Sequence, residues 1–145
     1  MKLLVDSCVF IDAFDPQSSN HVESLAVLED LHRCDILITM PAHAWFEVQC
    51  TLQRLIADKR FVGPTIQGQM NYPVELIHID EPFIKKYAMT DIPYIKASDH
   101  IFVAIARVNG YPLVTSDSKM AEVSKQCGVR VFSPTEFSNE LVKGT

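Results

Sequence analysis

Three consecutive apolar residues, Leu3, Leu4 and Val5, run directly into Asp6. Successive side chains of a strand point to opposite faces, so a strand without a polar position buries both. Such a strand belongs inside a parallel sheet that helices cover above and below. In open α/β sheets, ligands bind just beyond the carboxyl ends of the strands. A carboxylate at that place, Asp6, is therefore a helix cap or a ligand for something.

The rest of the chain alternates strands with helices. Ser7–Phe14 reads as a short helix or turn and His21–Arg33 as a helix, with Val22, Leu25, Leu28 and Leu31 at three-and-four spacing. Ile36–Thr39 is a second buried strand. Pro41 suits the first position of a helix running to about Lys59, with Trp45, Val48, Leu52, Leu55 and Ile56 as its apolar stripe. Gly63-Pro64 ends it, and 65–73 reads as a loop. Val74–Asp80 alternates apolar and polar residues, as an edge strand does. Glu81–Met89 and Ser98–Val108 are helices, the second stopped by Asn109-Gly110. Leu113–Thr115 is a buried strand, Lys119–Cys127 a helix, and Val129–Phe132 the last strand. Ser133-Pro134 opens a final helix. This order predicts an α/β fold: one domain over residues 1–145, a parallel sheet flanked by helices on both faces.

Composition removes several classes. The chain has 145 residues, 48% hydrophobic and 21% charged, which is ordinary for one globular domain. No apolar run approaches the ~18 residues of a membrane span. Asp6 interrupts the first apolar stretch too early for a secretory leader, so a cytoplasmic protein is expected. Cys8, Cys34, Cys50 and Cys127 form no CxxC pair. The first three sit among apolar neighbours and read as small buried hydrophobes. The net charge of −5 counts against a sequence-independent nucleic-acid binder, except that a carboxylate cluster neutralised by divalent cations would change the local sign.

Two strands end alike. Leu3–Val5 runs into Asp6-Ser7, and Leu113–Thr115 into Ser116-Asp117-Ser118. If the two are neighbours, Asp6 and Asp117 converge at one sheet edge. Asp99 opens the helix that leads into the second of these strands, which places it at the same end. Glu47 lies roughly 160° from Trp45 on the helical wheel, off the apolar stripe, so the pattern alone does not bury it. Each Asp also sits where a carboxylate caps or favours a helix N-terminus. Lys59-Arg60, Lys85-Lys86 and Lys96 are the basic clusters, and Lys96, three residues before Asp99, is best placed to meet a phosphate. All are plain solvated charges in the simpler reading. The five histidines form no ligand spacing.

Leu4-Val5-Asp6-Ser7, Glu47 on a middle helix, Ser98-Asp99-His100-Ile101-Phe102-Val103-Ala104-Ile105-Ala106 and Leu113-Val114-Thr115-Ser116-Asp117 together resemble the four acidic motifs of PIN domains. They occur in order across nearly the whole chain, whose length is similar to that of VapC-type toxins of toxin–antitoxin pairs. The resemblance implies a three-layer α/β/α fold and a metal-dependent endoribonuclease. It implies that Asp6, Glu47, Asp99 and Asp117 are catalytic and hold Mg²⁺ or Mn²⁺, with Ser7 and Thr115 supporting. It also implies an RNA substrate, which Lys96 is a candidate to contact, and a protein antitoxin. His100 departs from the family pattern, which more often has a small residue there. Hard cations prefer carboxylate oxygens and water. Four crowded carboxylates repel one another, so one should keep a proton until a cation arrives. Two ions about 4 Å apart activate a water and steady the leaving oxygen, so no protein nucleophile is needed.

Phe10, Phe14, Phe61 and Tyr72 are candidates for a homodimer or antitoxin groove, with a core role as the plainer reading. A catalytically silent PIN-like module that binds RNA or protein is the alternative. Two other phosphotransfer folds fit poorly. A haloacid-dehalogenase-like phosphatase wants a second Asp where Cys8 stands. A response-regulator receiver wants paired acids at the first strand and a Lys after the last, where Phe132-Ser133-Pro134 has none.

Overall fold

A computed structural model of the chain describes residues 1–58, 73–89 and 91–144. The expected ending of the third helix, the loop over 65–72, Phe61, Tyr72 and the Lys59-Arg60 pair lie outside the described residues. Five strands, β1 (Lys2–Val5), β2 (Leu37–Pro41), β3 (Val74–Ile77), β4 (Leu113–Val114) and β5 (Val131–Phe132), form one sheet in the order β3-β2-β1-β4-β5. Every pairing is parallel. Leu3, Leu4 and Val5 have no exposed surface, which puts the strand with two apolar faces at the centre. β3, the alternating strand, is an edge.

Seven helices are described: α1 (Ser7–Phe14), α2 (His21–Arg33), α3 (Ala42–Ala57), α4 (Glu81–Tyr87), α5 (Ala97–Asn109), α6 (Ser118–Gln126) and α7 (Pro134–Lys143). α1 packs on α2 and α3, and α2 on α7, whereas α5 packs on α4 and α6. Right-handed crossovers running outward from β1 to β3, and back across to β4 and β5, place these groups on opposite faces of the sheet. Phe10 of α1 sits edge-on to Phe14 and to Trp45 of α3, with centroids 6.1 and 5.4 Å away. Phe10 and Phe14 are therefore core residues and line no groove.

Some boundaries move. Pro41 ends β2 and does not open α3: its ψ of 142° is extended. β2 pairs with β1 only as far as Thr39, so the missing Pro41 N–H costs that ladder nothing. Asp80, read as the tail of a strand, caps α4 by accepting from the Phe83 N–H at 2.9 Å. Gly110, at φ 67°, stops α5 in the left-handed region and turns the chain toward β4. Cys34 and Cys50 are exposed, against the expectation of burial: Cys34 follows the last turn of α2, and Cys50 lies off the Val48–Leu52–Leu55 side of α3. No described helix is long and apolar enough to cross a membrane.

Candidate active site

The sheet changes direction between β1 and β4. From β1 the chain moves outward to β2 and β3, and from β4 it moves the other way to β5. The connections leaving such a switch point diverge and open a crevice at the carboxyl edge. Val5 pairs with Val114, which sets Asp6 beside Thr115. The Asp6 N–H donates to the Val114 carbonyl at 3.0 Å and continues the ladder by one bond.

Asp6 is only 5% exposed, and it is the first residue before α1. Its side chain makes no capping bond. Instead three neighbours donate to it: the Thr115 hydroxyl to Oδ2 at 2.7 Å, the Cys8 thiol to Oδ2 at 3.0 Å and the Ser7 hydroxyl to Oδ1 at 3.3 Å. A buried carboxylate without partners is costly, and these donors hold it in one orientation. Thr115 also accepts from the Asp117 N–H at 3.0 Å, so the hydroxyl that ties the ends of the two strands together also fixes the turn after β4. Asp117 does cap: its Oδ1 accepts from the Met120 N–H at 2.9 Å and opens α6.

Asp6, Glu47, Asp99 and Asp117 line one cleft of about 190 Å³, together with Ser7, Cys8, His43 and Lys96. Asp99 stands in the first turn of α5, and Glu47 is exposed on α3. The two helices meet at this edge, where the His43 and Phe102 rings lie 6.2 Å apart. The Asp99 carboxyl is raised above the ordinary carboxylate range by burial first, then by the charges of Asp6 and Asp117 and, less, of Glu47; Lys96 opposes them. The Cys8 thiol is pushed far up, by burial foremost and by the Asp6 charge, so it stays protonated and acts as a donor.

All four expected carboxylates are thus brought together with Ser7, Thr115 and Lys96. His43 and Cys8 were missed as members. The signal for His43 was its position one helical turn before Glu47; for Cys8 it was the place two residues after Asp6. His100 faces elsewhere: its Nε2 accepts from the Met89 N–H at 3.3 Å, and it borders a larger cavity of about 530 Å³. That cavity is walled chiefly by apolar side chains such as Phe83, Ile84 and Ile101, and it holds no carboxylate. The carboxylates line the smaller, polar cleft and not the larger cavity.

The donor set fits a hard divalent cation. The cleft offers carboxylate oxygens, and the raised Asp99 shows negative charge in excess of what Lys96 offsets. Among the described residues, no three His, Cys, Asp or Glu side chains are already gathered tightly enough to hold an ion by themselves. Mg²⁺ does not require that, since it takes one or two carboxylates and keeps several waters.

The family model of the PIN domain matches residues 3–126. The chain belongs to the PIN domain family. No curated protein matches it. Solved structures do. FitAB bound to an IR36 DNA fragment aligns with TM-score 0.61 at 21% identity, covering 93% of this chain and 96% of that one. VapBC2 from Rickettsia felis, bound to a fragment of its promoter DNA, gives 0.62 at 13%, covering 92% and 98%. VapC20 of Mycobacterium tuberculosis, a sarcin–ricin-loop-cleaving toxin, gives 0.58 at 12%, covering 83% and 93%. At these identities the likeness is one of fold, and this PIN domain spans nearly the full length of each.

Proposed function

We propose that this PIN domain is a divalent-metal-dependent endoribonuclease and the toxin of a toxin–antitoxin pair. The observation that carries the reading is the meeting of Asp6, Glu47, Asp99 and Asp117 in one cleft at the switch point of the sheet. The similarity to a toxin that cleaves the sarcin–ricin loop supports RNA as the substrate. The similarity to VapBC2, solved with its promoter DNA, supports an antitoxin partner.

Asp6, Glu47, Asp99 and Asp117 would hold Mg²⁺ or Mn²⁺. When bound, such ions supply Lewis acidity and a water acidic enough to attack a phosphodiester. The chain's own groups do the rest. Thr115, Ser7 and Cys8 orient the Asp6 carboxylate. Asp117 is fixed by the cap it makes on α6. Asp99, raised by burial and by the charges of Asp6 and Asp117, holds its proton to higher pH than an ordinary carboxyl, and a bound cation would offset those charges. Lys96 supplies positive charge where a substrate phosphate enters. Cys8, held as a thiol, is no nucleophile.

Incubation of structured and unstructured RNAs with Mg²⁺ or Mn²⁺, and in parallel with chelator, tests the reading. Discrete fragments that appear only with the metal are expected. RNA binding without cleavage under every metal tried would favour a silent binding module instead.

A further inference from the structure

The short loop before α5 carries Tyr94, whose side chain is 91% exposed. Two residues close to it in the loop are buried. Ile92 and Ile95 are each only 7% exposed and anchor the loop on both sides of the ring. Pro93 fixes one backbone dihedral immediately before it. The ring is therefore held out on a restrained segment while burying almost nothing of itself. A tyrosine so held has two side-chain torsions left to order, which keeps the entropic cost of contact small.

Tyr94 lines a cleft of about 150 Å³ with Ile95, Lys96, Asp99, Asp117 and Lys119, so it borders two of the four carboxylates. The two lysines stand at unfavourable places for helix stability. Lys96 is the residue that precedes α5, and Lys119 lies in the first turn of α6. Helix N-termini are already positive, so a cation there weakens the helix and strengthens attraction for an anion. Both lysines are exposed, and neither forms a salt bridge among the described residues. An exposed aromatic ring that shares a cleft with two exposed lysines matches a nucleotide strand: bases stack on the ring and phosphates meet the lysines. Only an unpaired base offers its face, because bases in a duplex are stacked on one another.

We propose that Tyr94 is a stacking platform for an unpaired base of single-stranded RNA next to the scissile phosphate, with Lys96 and Lys119 on the flanking phosphates. The proposal rests on the ribonuclease reading and names the strand type that the cleft takes. Tyr94 also touches the rim of the apolar cavity between α4 and α5, where a protein partner is the competing occupant. The two exposed lysines that line the smaller cleft with the ring favour RNA.

The test measures anisotropy of a labelled short oligoribonucleotide in chelator, where binding is read without cleavage. Tyr94→Ala should weaken binding of the single strand about tenfold, and Tyr94→Phe should recover most of that loss. The same sequence as a duplex should bind wild type and Tyr94→Ala alike. Lys119→Ala should reduce the slope of log affinity against log salt by about 0.7, a change Tyr94→Ala should not make. In cleavage assays with metal, the Tyr94→Ala loss should fall on KM rather than kcat. Single-strand binding unaltered in Tyr94→Ala overturns the platform, as does Tyr94→Phe binding no better than Tyr94→Ala. Loss of association with a protein partner or a second copy, with RNA affinity intact, also overturns it. Absence of cleavage by the wild type under every metal strikes the ribonuclease reading alone, because the binding comparison in chelator still reads the platform.

Discussion

Thr115 joins the two strands that end in carboxylates, since its hydroxyl donates to Asp6 and accepts from Asp117. Thr115→Val removes both bonds at nearly constant shape. It should cost about 1–3 kcal/mol in denaturant unfolding, because Asp6 stays buried with a weaker set of donors. Thr115→Ser should recover most of this. Asp99 gives a second residue-scale test. Its carboxyl is raised by burial and by the neighbouring charges, so between the ordinary carboxylate value and the raised one the folded metal-free protein holds a proton that the unfolded chain has released. Stability then falls as pH rises from the ordinary carboxylate value through the raised one. Asp99→Asn should flatten that fall and raise the melting temperature of the metal-free protein near neutral pH. A divalent cation should raise the wild-type melting temperature and have less effect on the variant. Thermal melts across pH, with and without Mn²⁺, measure both. Part of this site was legible residue by residue. Asp6 and Asp117 could be paired because both end apolar runs. Glu47 could not be placed, because a helical wheel reports which side faces the core and not which helix end meets a cleft. His43 and Cys8 were marked only by their spacing from Glu47 and Asp6, so they could be placed only once those two were. Cys34 and Cys50 misled because apolar neighbours in sequence are not neighbours in space.

At the scale of elements, Asp117 does two things. It caps α6, and it faces the cleft. Asparagine caps about as well as aspartate, whereas alanine loses the cap at about 0.5–2 kcal/mol. Asp117→Asn should therefore keep the melting temperature and lose cleavage, while Asp117→Ala should lose both; calorimetry beside an RNA cleavage assay separates the two. Of the three aspartates that could cap or favour a helix start, Asp117 makes a side-chain cap, Asp99 lies in the first turn of α5, and Asp6 makes no side-chain cap bond. The helices and strands themselves were legible because buried runs and three-and-four spacings record which faces meet the core. Their ends were less so. Pro41 suits a helix start and a strand end equally in sequence, and its pairing with Ile77 decided for the strand.

At the scale of the whole molecule, the order β3-β2-β1-β4-β5 puts the strand with two buried faces at the centre and the crevice beside it. Periodicity predicted a parallel sheet; which strands are neighbours came from the crossovers, which local pattern does not encode. As a toxin, the wild type should arrest growth when expressed, Asp6→Asn should not, and co-expression of a small neighbouring reading frame should relieve the arrest. Growth curves of the three strains check this. The most direct measurement compares RNA cleavage by wild type, Asp6→Asn and Asp99→Asn with Mg²⁺ or Mn²⁺, alongside circular dichroism of each. The expected result is cleavage by wild type alone, at least about a hundredfold above either variant and abolished by chelator, with all three folded. Cleavage that persists in chelator, or that is unchanged in both variants, would contradict the assigned site.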